Sequence, residues 1–138
     1  STWERANAEK RLLLSHTWGA GGGCGSSDMR RIAERYPDVR LILGHSCYGD
    51  WDRGIAIAAD FPNVYLDLTA AYHIYGVIER MCEKAGSHKV LFGTDYPWFD
   101  PSVTAGCVVY AHISEDDMAN ILYNNARRLL DEQLNRGA

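Results

Sequence analysis

Four short apolar segments constrain the fold of this chain more than any other feature of its sequence. They lie within residues 12–16, 41–45, 64–68 and 90–95, and each is closed by a polar residue or followed by one. Their apolar residues run on continuously instead of alternating with polar ones. This pattern is typical of strands that are buried on both faces of a parallel sheet. The sequence therefore predicts four strands of that kind.

Stretches with helical periodicity lie between and after the predicted strands. The pattern predicts helices over residues 28–36, 51–61 and 73–85. A last helix follows residues 114–117, which resemble a capping box with Asp in place of the usual Glu. Its apolar stripe consists of Met118, Ile121, Leu122, Leu129 and Leu130. The chain thus alternates strand and helix, which predicts an α/β fold with a parallel sheet.

The polar residues at the strand ends are regularly spaced. His16, His45, Asp67 and Asp95 follow one another at intervals of 29, 22 and 28 residues, which are the lengths of βα units. Four such units make half of an eight-stranded barrel, and a whole TIM barrel takes about 250 residues. Residues 3–10 look like the end of a helix that no strand precedes. We therefore predict one domain over residues 1–138, a (βα)4 half-barrel that is the second half of a barrel whose first half is absent. A complete small open sheet is the alternative.

Composition excludes several classes of function. The chain has 14 Lys and Arg against 18 Asp and Glu, a net charge of −4, and no basic run, so nucleic-acid binding is not expected. No segment approaches the ~18 apolar residues of a membrane helix, and residues 1–5 lack the apolar region of a signal peptide. The four cysteines form no CxxC motif, which indicates reduced thiols in a cytoplasmic protein.

The strand ends predict a site. Active sites of parallel α/β folds lie at the C-terminal ends of the strands, and here those ends carry two imidazoles and two carboxylates. These are zinc-type ligands, and a metal held by them lowers the pKa of its bound water and polarises a carbonyl group. A hydrogen-bonded structural role is the alternative for each residue taken alone. Their shared position in the fold favours a functional role for the set.

Several segments resemble a known family. The sequences LSHTWG at 14–19, LGH at 43–45, VYLD at 64–67 and FGTDYP at 92–97 are similar to the second half of the amidohydrolase-related family. These are metal-dependent TIM-barrel hydrolases, and their branch includes aminocarboxymuconate semialdehyde decarboxylase. The ending NILYNNARRLL at 120–130 resembles the C-terminal helix of that family. The resemblance covers nearly the whole chain and implies strands five to eight of the barrel.

The resemblance implies a role for each strand-end residue. His16, at the end of strand five, would bind the metal, and Asp95, at the end of strand eight, would bind it and transfer a proton. His45, at the end of strand six, would polarise the metal-bound water or the substrate, or bind a second ion. Asp67 is expected to be a buried structural carboxylate. Zinc is the expected metal, although manganese or iron would use the same ligands.

One departure from the family bears on the metal site. The first strand of the family ends in His-x-His, which supplies two more ligands, and this motif does not occur in the chain. His73, His88 and His112 are expected at the surface or in caps. A catalytic zinc normally has three protein ligands and an open position. Three explanations stay open: the chain is a fragment, it pairs with a separate half, or two copies assemble into a homodimeric barrel.

The loops after the strands carry aromatic and glycine-rich segments. Trp18 and Trp98, which lie nearest the predicted ligands, are predicted to line a pocket for a small substrate. The glycine-rich residues 19–25 match neither G-x-G-x-x-G nor the Walker A motif. We expect a flexible active-site loop here. An anion site on backbone amides near Asp28 is the alternative.

The predicted function is metal-dependent hydrolysis or decarboxylation of a small carboxylated, amide or ester substrate, with Asp95 and His45 as catalytic groups. A non-catalytic or self-assembling half-barrel is the first alternative. The second is a serine hydrolase. Residues 44–49 nearly spell a nucleophile elbow around Ser46, and Asp95 and His112 would complete the triad.

Overall fold

A parallel sheet of four strands organises the molecule. A computed structural model describes residues 1–71 and 74–135. The strands lie side by side in chain order and every neighbouring pair is parallel. They are β1 (Leu12–Trp18), β2 (Arg40–Tyr48), β3 (Val64–Asp67) and β4 (Val90–Leu91). The predicted α/β class and the (βα)4 order are confirmed.

The helices connect the strands and follow the last of them. They are α1 (Thr2–Ala8), α2 (Ser26–Arg35), α3 (Trp51–Asp60), α4 (Val77–Ala85), α5 (Pro101–Val109), α6 (Glu115–Ala119) and α7 (Asn125–Asn135). A single 3₁₀ turn, Ser87–Lys89, precedes β4, and a π-helical segment, Asn120–Asn124, joins α6 to α7. The predicted capping box at 114–117 is present. His73, where a helix was predicted to begin, lies outside the described residues.

The two faces of the sheet are covered differently. Side chains alternate across a strand, and one set packs against the helices in a large core that contains Leu13, Leu41, Leu43, Val64, Leu66 and Val90. The opposite set forms a small cluster centred on Tyr65, Leu91 and Leu129, with Leu12, Ile42 and Ala126 against it. Leu14 points to this second face and is 66% exposed. The prediction that all four strands are buried on both faces is therefore wrong for β1, which lies at one edge of the sheet.

Helix α7 closes the end of the sheet where the strands begin. Gln133 accepts a hydrogen bond from the backbone amide of Leu12 at 2.8 Å and another from the Arg40 guanidinium at 2.7 Å. Asn125, which is buried, donates to the carbonyl oxygens of Ser87 and Val90, both at 2.8 Å. These bonds hold the helix at the N-terminal ends of β1, β2 and β4. The C-terminal strand ends stay open at the opposite edge.

The four cysteines are free thiols, as predicted. Burial raises the pKa of Cys82 to about 11, and Asp117 and Glu79 act in the same direction. Alkylation by iodoacetamide at pH 8 should therefore be about 10- to 100-fold slower at Cys82 than at the same residue in the urea-unfolded chain, because less of the thiol is ionised. Peptide mass spectrometry across pH measures this. The folded rate should rise until pH 11, and equal rates for folded and unfolded chains would contradict the expectation.

Within the described residues, no helix combines the length and the apolar character needed to cross a membrane.

Candidate functional site

Two of the predicted site residues meet at the open edge of the sheet. His16 lies near the end of β1 and His45 near the end of β2, and their ring centroids are 4.8 Å apart with an interplanar angle of 77°. Leu14, His16 and Trp18 share one face of β1 because they are two residues apart. The face that carries this pair is the one that the helices leave open near the strand ends.

Trp18 packs against both imidazoles. Its ring is parallel to that of His16 at 5.9 Å and lies edge-on to that of His45 at 5.4 Å. Tyr48 stacks on Trp18 at 4.1 Å, and Trp51 meets Tyr48 edge-on at 5.6 Å. Trp18 is 45% exposed. The tryptophan predicted to line a pocket is therefore also a packing partner of the two histidines.

His45 opens a backbone turn that non-glycine residues rarely adopt. The φ angles of His45, Ser46 and Cys47 are 68°, 49° and 60°. Each left-handed non-glycine residue costs roughly 1–2 kcal/mol, and such residues normally occur singly. The register shows the same irregularity, since His16 pairs with Gly44 but Trp18 pairs with Tyr48. The three residues 45–47 thus form a left-handed insertion in β2, which we call the His45 turn.

Hydrogen bonds to both neighbouring strands hold the His45 turn. Thr17 of β1 donates from Oγ1 to the Gly44 carbonyl at 2.6 Å and accepts from the Cys47 amide at 2.7 Å. Ser46 donates from Oγ to the Asp67 carbonyl at 2.7 Å and accepts from the Asp67 amide at 3.0 Å. Thr17 and Ser46 are completely buried. Hydrogen bonds of this kind offset backbone strain at functional sites.

Asp67 is the buried, hydrogen-bonded carboxylate that was predicted. Its Oδ2 accepts from the His45 amide at 3.1 Å and from the Thr69 amide at 3.3 Å. Burial raises the pKa of this carboxyl group above its ordinary value, against the opposing effect of its hydrogen bonds. A Cβ atom at Gly93 would overlap the Asp67 carboxylate. Gly93 therefore lets the chain after β4 approach Asp67 and the turn beside it.

Asp95 and Trp98 belong to the segment that follows β4. The predicted fourth strand ends at Leu91, and Asp95 follows in an irregular segment with φ 59°. Its carbonyl oxygen accepts from the Trp98 amide at 2.8 Å, and Trp98 is 82% exposed. In the described part of the chain, neither side chain makes a hydrogen bond or ring contact with His16, His45 or Trp18.

The residues present do not make a complete metal site. Among residues 1–71 and 74–135, no group of three His, Cys, Asp or Glu side chains is placed to hold a metal ion. The His16–His45 pair supplies two imidazoles at most, and Nδ1 of His45 is buried without a hydrogen-bond partner. A catalytic zinc site normally has three protein ligands. The described residues thus do not form a complete ligand set.

Two alternative sites are excluded by the contacts of their own residues. Ser46 Oγ is buried and hydrogen-bonded to the backbone groups of Asp67, so it is not an exposed nucleophile. His112 is exposed, and its backbone amide donates to Glu79. The serine-hydrolase alternative is therefore wrong. The amides of Gly23 and Gly25 donate to the Asp28 carboxylate at 2.9 and 3.3 Å, which fills the predicted anion site.

The sequence did not indicate Thr17 as part of the site, and it indicated Ser46 only as a candidate nucleophile. Thr17 and Ser46 act through buried hydroxyl groups, and a lone Ser or Thr at a strand end has no distinctive pattern. The left-handed turn also gave no signal, because no glycine stands at positions 45–47. His88 and His112 are exposed, as predicted.

Comparison with known proteins defines the class of this protein. Residues 25–131 match the family described as amidohydrolase, and the chain belongs to that family. Its sequence is 26% identical to gamma-resorcylate decarboxylase of Polaromonas sp. (strain JS666), over 90% of this chain and 44% of that protein. The family resemblance read from the residues is thereby confirmed.

Two solved structures share the fold. An uncharacterised TIM-barrel protein of Bordetella bronchiseptica matches 99% of this chain and 50% of its own, with a TM-score of 0.83 and 22% identity. Dihydroxybenzoic acid decarboxylase of Polaromonas sp. JS666, solved with manganese and 2-nitroresorcinol, matches 94% of this chain and 52% of its own, with a TM-score of 0.68 and 17% identity. The chain spans about half the length of these relatives, and its sheet is a half of such a barrel.

Proposed function

We propose that this chain carries part of the active site of a metal-dependent decarboxylase or hydrolase, with a small hydroxylated aromatic acid as the favoured substrate. The observation that carries the proposal is the contact of His16 with His45 beside Trp18 at the C-terminal strand ends. That edge is where parallel α/β enzymes place their chemistry. Relatives that decarboxylate dihydroxybenzoates, one of them solved with manganese, support the substrate class and a divalent metal.

His16 and Asp95 are proposed as the two ligands that this chain contributes, with zinc or manganese as the ion. The described residues of a single chain do not supply the remaining ligands. A further half-barrel is the proposed source, with this chain as strands five to eight. That half would belong either to a longer protein or to a second copy of this chain. Either arrangement would also cover the exposed edge of β1.

The groups of this chain suit the proton transfer that decarboxylation needs. Loss of CO₂ from an aromatic acid replaces a carbon–carboxylate bond by a carbon–hydrogen bond, so a donor must deliver a proton to the ring carbon. His45 and Asp95 are the proposed groups for this step. In the hydrolytic version, the same two groups would handle the proton of the attacking water. Trp18 and Trp98 are proposed to contact the flat ring of the substrate.

A non-catalytic half-barrel is the second candidate. The observation that favours it is the incomplete ligand set among the described residues. Such a protein would keep the fold of its family and bind a partner or a second copy through the open face of the sheet.

One assay separates the two candidates. The chain is purified in the assembly that completes the barrel, a longer protein or a pair of half-barrels, and is incubated with 2,6-dihydroxybenzoate and either Mn²⁺ or Zn²⁺. Resorcinol formation is followed by chromatography, with amide and ester substrates in parallel. We expect turnover that requires the metal and stops with EDTA. Turnover that EDTA leaves unchanged would contradict the metal-dependent proposal. Absence of product with every metal and substrate would overturn catalysis by this chain and support the second candidate.

A further inference from the structure

The His45 turn is the part of the molecule that the proposed chemistry does not by itself explain. It places three successive non-glycine residues in the left-handed region, at 68°, 49° and 60°. None of them is glycine, the residue that adopts this conformation without steric cost. A backbone held in this way persists only where its surroundings determine it, and such segments cluster at functional sites.

The bonds that hold the turn come from two hydroxyl groups. Thr17 Oγ1 bridges the ends of the turn, since it donates to the carbonyl of Gly44 and accepts from the amide of Cys47. Ser46 Oγ fixes the middle of the turn to β3 through the amide and the carbonyl of Asp67. Each hydroxyl thus donates one hydrogen bond to a backbone carbonyl and accepts one from a backbone amide. Both hydroxyls are buried, so neither is accessible to a substrate.

The direction of the His45 ring depends on this backbone. In a regular strand, successive side chains point to opposite faces of the sheet. The turn adds two residues to β2 relative to β1, between the pairs His16–Gly44 and Trp18–Tyr48. With these extra residues, the His45 ring lies 4.8 Å from the His16 ring and 5.4 Å from the Trp18 ring. Without them, His45 would follow the alternation of the strand.

Helix α3 also packs closely against the His45 turn, at the backbone carbonyl of Ser46. A Cβ atom at Gly54 of α3 would come 2.5 Å from that oxygen. The side chain of Asp67 meets the turn from the third direction, because it accepts from the His45 amide. The turn is therefore enclosed by β1, β3 and α3.

We propose that Thr17 and Ser46 are positioning residues, whose buried hydroxyls hold His45 in the left-handed turn that brings its imidazole against His16. This inference rests on the proposed function for its catalytic meaning. Its structural content, the approach of the two rings, can be measured without metal or substrate. Failure of the catalytic proposal and failure of this inference are therefore distinguishable.

The test measures the proximity of the two imidazoles by NMR on the metal-free chain. Nuclear Overhauser contacts between the ring protons of His16 and His45 are compared in the original chain, Thr17→Val and Thr17→Ser. Valine keeps the branched shape and removes both hydrogen bonds, whereas serine keeps the hydroxyl. We expect Thr17→Val to reduce the contact intensity at least several-fold and Thr17→Ser to restore it.

Thr104→Val is the matched control. Thr104 is a buried threonine of α5 whose Oγ1 has no hydrogen-bond partner among the described residues. The Thr104→Val variant measures the effect on the His16–His45 ring contact of losing a buried hydroxyl that does not hold the His45 turn. We expect this variant to keep the ring contact at full intensity. Loss of the contact in Thr104→Val as well would attribute the effect to general loosening and overturn the proposal.

A second variant guards against a Thr17→Val chain that does not fold. Ser46→Gly removes the hydroxyl and places glycine at φ 49°, a conformation that glycine adopts without steric cost. We expect this chain to fold, as judged by amide dispersion, and to lose the His16–His45 ring contact. A folded Thr17→Val or Ser46→Gly chain that retains the contact at full intensity would overturn the proposal.

Discussion

Replacing His16 by alanine is expected to abolish the metal-dependent activity and leave the fold intact. His16 is exposed at the end of β1, so its loss opens no cavity in the core. Removing a residue that hydrogen-bonds to a metal ligand costs about 10- to 100-fold in metal affinity or activity. Removal of a ligand itself should therefore reduce turnover by more than about 100-fold. The free energy of unfolding should change by less than about 1 kcal/mol. Turnover with Mn²⁺ and urea unfolding measure the two effects.

His88→Ala is the matched control for this prediction. His88 is an exposed histidine on the 3₁₀ turn before β4, and its recorded hydrogen bond uses the backbone carbonyl, which alanine keeps. Turnover should be unchanged in this variant. Equal losses in His16→Ala and His88→Ala would mean that histidine content, and not the strand-end position, governs the activity.

Gly93→Ala is expected to produce the largest loss of stability among conservative substitutions near the site. A Cβ atom there would overlap the Asp67 carboxylate and come 2.7 Å from the Thr69 hydroxyl oxygen. Asp67 is buried and hydrogen-bonded to the His45 turn, so it has little room to move. Overpacking of a core costs about 1–3 kcal/mol, and displacement of a buried hydrogen-bonded group adds a similar amount. We expect a loss of about 3 kcal/mol in urea unfolding.

Gly106→Ala provides the comparison. Gly106 lies within helix α5, and in the described part of the chain no atom outside the adjacent residues and the local helix backbone lies within 4 Å of the position that its Cβ would take. Alanine in a helix interior is favoured over glycine by roughly 0.5–1 kcal/mol, so this variant should be slightly more stable than the original chain. A Gly93→Ala chain as stable as Gly106→Ala would show that the close approach at Asp67 does not constrain the structure.

The order of strands could be read from the sequence, but the exposure of the edge strand could not. Continuous apolar runs mark buried strands, and all four occur where they were predicted. Leu14 belongs to such a run and is nevertheless exposed, because the face of the sheet to which it points is covered only by a small cluster in the described residues. Periodicity reports the environment that a strand is suited to and not how fully the described residues cover each of its side chains.

Helix α5 was not predicted from the sequence, for a different reason. Its apolar residues lie all round the helix, so no amphipathic stripe marks it. The available signal was local: Asp100 caps the helix by accepting from the Ser102 amide at 2.9 Å, and Pro101 occupies the first turn. The fourth strand was predicted to extend to Asp95, whereas its pairing with β3 ends at Leu91.

The site was predicted in part. The shared edge of the strands brought His16 and His45 together as expected, since that follows from topology alone. The contact geometry depends on the His45 turn, which arises from tertiary hydrogen bonds of Thr17 and Ser46 and has no sequence signature. Asp95 lies in the irregular segment after β4, whose path local patterns do not determine.

Titration of the purified chain with Mn²⁺, with free Mn²⁺ followed by electron paramagnetic resonance, tests the central claim most directly. The claim is that this chain supplies metal ligands, His16 among them, to a site that it does not complete. We predict weak binding by the monomeric chain, weaker still in His16→Ala and unchanged in His88→Ala. One tightly bound ion per monomeric chain would contradict the incomplete site, and identical titrations for the original chain and His16→Ala would contradict the role of His16.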